Sequence, residues 1–135
     1  LDDLAGKNVI TQTDSAAQEV LEGDRADLAA TFAQLETIGD YNTAFMQLES
    51  VADLDAVACD LSIAQYQMSA KPGVYTLLSD ELSSEHYAVG VKKGNTELAQ
   101  KITDTLKAMN EDGTVKQLCE KYADYGLSYE NWILK

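Results

Sequence analysis

The sequence predicts an α/β fold: a mostly parallel sheet flanked by helices, with a helical arm at its C-terminal end. Three observations carry that expectation. Short apolar runs bounded by turn residues alternate with helix-periodic stretches as far as residue 92, the pattern of strand–helix–strand units. The last third carries helical periodicity and no strand signal. Apolar residues make up 45% of the 135 positions, enough to core one compact domain, or one lobe with an appendage, but not two full domains.

Each element has a local cause. Asn8 to Gln12 is a short β-rich run closed by the polar Thr13-Asp14. Ser15 then offers an N-cap with Gln18 as its capping-box partner, and Ala16 to Leu21 continue helically to Gly23. Thr31 to Ile38 alternates as a second strand, broken by Gly39-Asp40. Tyr41, Ala44, Phe45 and Leu48 recur at the spacing of an amphipathic helix. Asp55 to Asp60 reads as a short strand buried on both faces, as parallel strands are. Leu61 to Ser69 is helical up to Lys71-Pro72-Gly73, and two further strands are expected at Val74 to Leu78 and Tyr87 to Lys92.

The arm reads as two helices. Leu98, Ile102, Leu106 and Met109 form one apolar face, and Gly113 supplies its stop. Val115, Leu118, Cys119 and Tyr122 form the second face. Trp132, in the closing segment, calls for a partner surface.

Charge narrows the partners. Asp and Glu outnumber Lys and Arg by 23 to 10, for a formal charge of −13. Such a surface repels a phosphate backbone, which argues against nucleic acid, and disfavours anionic membranes. No apolar stretch approaches the roughly 20 residues that span a bilayer. Cys59 and Cys119 lack CxxC spacing and sit in apolar contexts, so two free thiols are expected ahead of a disulfide.

Signals for catalysis or cofactor binding are weak. The one histidine, His86, reads as a solvated loop residue. There is no Cys/His metal spacing and no Gly-rich phosphate loop, so no metal or cofactor is implied. The acidic pairs Asp2-Asp3, Asp53 with Asp55, and Glu111-Asp112 sit beside turn and cap signals.

Binding has better addresses. In an open parallel sheet, ligands sit beyond the carboxyl ends of the strands. The loop Thr13-Asp14-Ser15-Ala16-Ala17 has this address, and its free backbone N–H groups at a helix start suit a carboxylate. Asp60, directly after its strand, is placed to pair with an ammonium group. Together these are the two poles of an α-amino acid. Ser15 and Asp60 are equally well explained as helix caps, and spacing alone leaves both readings open. Gln12 reads as an exposed strand end ahead of a pocket residue. Tyr41, Phe45 and Tyr66 read as core.

Several tracts in one order carry a resemblance: Asp3-Leu-Ala-Gly-Lys7, Gln12 to Ala16, Tyr41 to Glu49, Asp55 to Asp60, Tyr87 to Leu98, and Asp112-Gly-Thr114. The chain resembles the second lobe and C-terminal segment of the family 3 extracellular solute-binding proteins, the amino-acid receptors of ABC importers. The resemblance implies a type II periplasmic-binding-protein-like lobe at residues 1–93. Residues 94–135 would pack, in the parent protein, with a first lobe absent from this sequence. It implies that the loop matching Thr13 to Ala17 receives the ligand α-carboxylate and that Asp60 receives the α-ammonium, with Gln12 lining the pocket.

The function so implied is non-catalytic capture of a polar amino acid for ABC permease subunits. The location implied is extracellular, on the cell surface as a lipoprotein or in the periplasm. Alternatives on the same scaffold are a cyclohexadienyl dehydratase-like enzyme and the sensor module of a receptor kinase. One departure is that 50–54 runs a residue longer than the family turn. Without a first lobe, the two arm helices are expected to fold back, stay loose, or exchange between copies as a homodimer.

Overall fold

The computed structural model describes residues 1–51 and 53–134; Ala52, within the stretch 50–54 expected to run a residue long, and Lys135 lie outside the described residues. The chain forms two compact units, Leu1–Ser84 and Glu85–Lys135. The boundary expected between 93 and 94 falls inside the second.

The first unit is built on a parallel sheet of β1 (Asn8–Gln12), β2 (Gln34–Ile38) and β3 (Ala56–Ala58), in the order β2-β1-β3. β1 is central because it is the strand that can be buried on both sides: Val9, Ile10 and Thr11 are each at most 2% exposed. Val9 pairs with Leu35 on one side and with Ala56 on the other.

The strand order decides where the helices go. The chain steps outward from β1 to β2 and back across to β3, so right-handed crossovers put the connecting helices on opposite faces. On one face, Ala17 and Leu21 of α1 (Ala16–Glu22) pack with Val9 and Ala58. Leu28 and Ala29 of α2 (Ala26–Ala29), together with Phe32 and Leu82, close around that cluster. α3 (Tyr41–Ser50) meets all three strands with the buried stripe Tyr41, Ala44 and Phe45. α4 (Leu61–Ala70) follows β3, burying Ala64.

Two expected strands do not form. Residues 74–78 and 87–92 adopt no strand among the described residues. An apolar run becomes a strand only where another strand pairs with it, and among the described residues the sheet holds only β2, β1 and β3. Val74, Leu77 and Leu78 are about half exposed, and Tyr87 and Val89 more so. The first run is held by side chains instead: the Tyr75 ring meets Phe45 edge-on at 5.1 Å, and its hydroxyl donates to Glu49. Glu49 also accepts from Lys71 Nζ at 2.5 Å.

The second unit is a pair of helices, α5 (Thr96–Glu111) and α6 (Thr114–Lys121), joined at Gly113, whose φ of +84° permits the reversal. Asn95 caps α5, and Asp112 Oδ1 accepts from the Thr114 N–H at 2.8 Å. Tyr129 hydroxyl donates to Asn110 Oδ1 at 2.8 Å, fastening the closing segment to α5. Trp132 is half-buried and donates its indole N–H to the Leu134 carbonyl at 3.0 Å. No residue of α5 is buried, so its apolar stripe is only partly covered.

Candidate functional site

Each strand of the first unit runs from its carboxyl end into a helix start, so the N-termini of α1, α3 and α4 gather along one edge of the sheet. β1 and β3 are neighbours in parallel register, with Thr11 opposite Ala58. Two residues further along each strand come Thr13 and Asp60. The loop 13–16 and Asp60 therefore share this edge, on strands about 4.8 Å apart.

Gln12 ends β1 half-buried, not as an exposed strand end. Thr13 is exposed, and its N–H donates to the Ile38 carbonyl at 2.8 Å. Asp14 takes a left-handed φ of +58°, a conformation that Asp tolerates better than most residues. Its N–H donates to Gln18 Oε1 at 2.8 Å. The Ser15 N–H donates to the Gln12 carbonyl at 3.3 Å.

The expected capping box is thus half formed. Ser15 Oγ accepts the Gln18 N–H at 3.1 Å, but the Gln18 side chain reaches Asp14 rather than Ser15. The left-handed turn at Asp14 is what brings that N–H round to the helix. The expected run of open amides over 13–17 narrows for the same reason. Those of Thr13, Asp14 and Ser15 have acceptors. Ala16 and Ala17, the first two residues of α1, have no intrahelical carbonyl to reach.

Asp60 is the N-cap residue of α4, is half-buried, and makes no side-chain capping bond. The turn is closed by its backbone carbonyl, which accepts from the N–H groups of Ile63 and Ala64 at 3.1 Å each. Asp40, at the end of β2, behaves oppositely. Its Oδ1 accepts the Thr43 N–H at 2.9 Å and its Oδ2 accepts the Thr43 hydroxyl at 2.8 Å, which holds its carboxyl below the usual carboxylate range. The spacing of Asp40 and Thr43 before a helical stripe is a capping signal that reading Gly39-Asp40 only as a break overlooks.

Burial, and then the Asp60 charge, push the neighbouring Cys59 thiol up to about 12, against the lowering effect of the Ala64 N–H. Cys59 and Cys119 are both free and half-buried. One further residue belongs to this edge and escaped sequence reasoning. Thr11, fully buried, donates its hydroxyl to the Ala58 carbonyl at 2.9 Å and lies 3.2 Å from Ser15 Oγ. Nothing in the local sequence marks it, since a threonine in a strand is ordinary.

Elsewhere the chain offers less. A shallow concavity lined by Glu97, Lys101, Asp104 and Ala108 belongs to the second unit and is the flank of a single helix. Among the described residues no three His, Cys, Asp or Glu side chains converge as a metal site, and no helix is long and apolar enough to cross a membrane.

Comparison with known proteins adds independent findings. A model of the bacterial extracellular solute-binding proteins, family 3, matches residues 4–125. The ABC transporter glutamine-binding protein GlnH of Bacillus subtilis (strain 168) is 34% identical over 83 residues, which cover 62% of this chain and 30% of that protein. The match thus spans under a third of the relative's length. No solved structure matches the chain.

Proposed function

Because this chain belongs to the bacterial extracellular solute-binding proteins, family 3, we propose that it carries one wall of an amino-acid-binding cleft. The Ala16 and Ala17 amides at the start of α1 receive the α-carboxylate, and Asp60 receives the α-ammonium. Gln12, Thr13, Asp14 and Ser15 shape the floor between them. The observation that carries this reading is the shared edge: the amides that start α1 and the Asp60 carboxylate, groups of opposite charge preference, stand just past adjacent parallel strands.

The cleft so formed is open on one side. Closure around a small ligand supplies much of its burial, so the facing wall would come from the family's first lobe. The whole protein would then deliver a polar amino acid to ABC permease subunits from an extracellular or periplasmic position. Glutamine is the first ligand to test, since the Bacillus relative is named for it. The helical arm, residues 94–135, would pack on that first lobe; in the isolated chain its partly covered stripe favours exchange between two copies.

The test is a thermal-shift screen of the full-length protein against the common amino acids, repeated with Asp60→Ala. A stabilisation specific to one or a few polar amino acids, lost in the variant, is expected. Stabilisation that survives the substitution unchanged removes Asp60 from the site. Turnover of prephenate or arogenate would place the protein with the dehydratases instead.

A further inference from the structure

Valine would fill the place of Thr11 with the same shape and suit a central strand as well. The buried hydroxyl therefore calls for an account, and its two contacts supply one. A carbonyl oxygen only accepts, so the single hydroxyl hydrogen of Thr11 goes to Ala58 at 2.9 Å. The 3.2 Å contact with Ser15 is then made by the Ser15 hydrogen, donated to Thr11 Oγ1. Ser15 Oγ in turn accepts the Gln18 N–H. The result is a head-to-tail relay, Gln18 to Ser15 to Thr11 to Ala58, in which each bond polarises the next. It crosses from α1 through β1 to β3, directly beneath the edge that holds both poles of the candidate site.

We propose that Thr11 is a positioning residue: its buried hydroxyl fastens the start of α1 to the end of β3 and so sets the spacing between the Ala16 and Ala17 amides and Asp60. The inference rests on the amino-acid-binding reading above. It adds that Ser15 has its hydrogen committed inward, leaving the ligand carboxylate to the backbone amides. It also adds that the spacing matters only to a ligand engaging both poles at once, because preorganisation is felt where two contacts must form together.

The experiment compares wild type, Thr11→Val and Thr11→Ser in the full-length protein. Without ligand, hydrogen exchange at the Gln18 amide should quicken in Thr11→Val by about tenfold and stay near wild type in Thr11→Ser, as loss of one net hydrogen bond implies. Calorimetry then uses L-glutamine, glutaramic acid, which lacks the α-ammonium, and 4-aminobutanamide, which lacks the α-carboxylate. Thr11→Val should weaken L-glutamine about tenfold and each single-pole analogue less than about twofold, with Thr11→Ser restoring the loss. Unchanged Gln18 exchange in Thr11→Val overturns the fastening. Wild-type affinity for L-glutamine in Thr11→Val, or equal weakening of all three compounds, overturns the positioning role and leaves the receptor reading standing. Failure of the wild-type protein to bind any common amino acid overturns the receptor reading, and the inference with it.

Discussion

Replacing Asp60 by Asn separates a ligand contact from a helix cap, because the two roles predict opposite outcomes. Asn caps a helix as well as Asp does, and the Asp60 side chain makes no capping bond to α4. The substitution should therefore change the unfolding free energy by less than about 0.5 kcal/mol. Binding should respond strongly. Two unit charges about 4 Å apart attract by about 4 kcal/mol at an effective dielectric of about 20. Asp60 is half-buried, so water screens part of this. A loss of about 1.5–3 kcal/mol remains, the range of hydrogen bonds to charged groups, or about ten- to a hundredfold in Kd. Calorimetry of the full-length protein with its preferred amino acid reads the affinity, and urea denaturation reads the stability. An unchanged Kd, or a fall in stability above about 1 kcal/mol with affinity intact, would refute the assignment of Asp60 to the ligand ammonium.

Other positions test the frame around the site. Leu21 is 1% exposed on a helix of seven residues, so Leu21→Ala should cost about 3 kcal/mol in urea denaturation; a cost under about 1 would mean that α1 is not anchored by its apolar face. Ser15→Ala removes a cap and one member of the buried relay, and a loss of about 1–2 kcal/mol is expected by the same assay. The Asn8 N–H, and then Lys7, hold the Asp55 carboxyl below the usual carboxylate range. Its bonds contribute fully above the unfolded value of about 3.9 and are lost as pH falls through the lower folded value. The urea midpoint should therefore decline below about pH 4, and Asp55→Asn should lower the plateau while flattening that decline. With its thiol pushed up to about 12, native Cys59 should be about a ten-thousandth thiolate at pH 8. Mass spectrometry after brief treatment with a thiol reagent should find it unmodified until the protein unfolds.

Sequence alone determined what local chemistry controls. β1 lies where the apolar run between Lys7 and Thr13 places it, and α1 and α3 begin after the residues best able to cap them. Gly113 ends α5 because only a residue at ease with positive φ allows that reversal. The candidate poles were legible only as addresses just past a strand, since Ser15 and Asp60 serve equally well as helix caps. Tertiary structure decided the rest. Residues 74–78 and 87–92 carry strand composition yet form no strand, because a strand depends on a neighbour that composition does not specify. Whether Asp60 and the Thr13–Ala16 loop stand together follows from β1 and β3 being paired, and the part played by Thr11 follows from the Ala58 carbonyl, 47 residues away. Caps and periodicity act within a few residues, whereas strand order, burial and the partners of a buried hydroxyl arise only when distant segments pack.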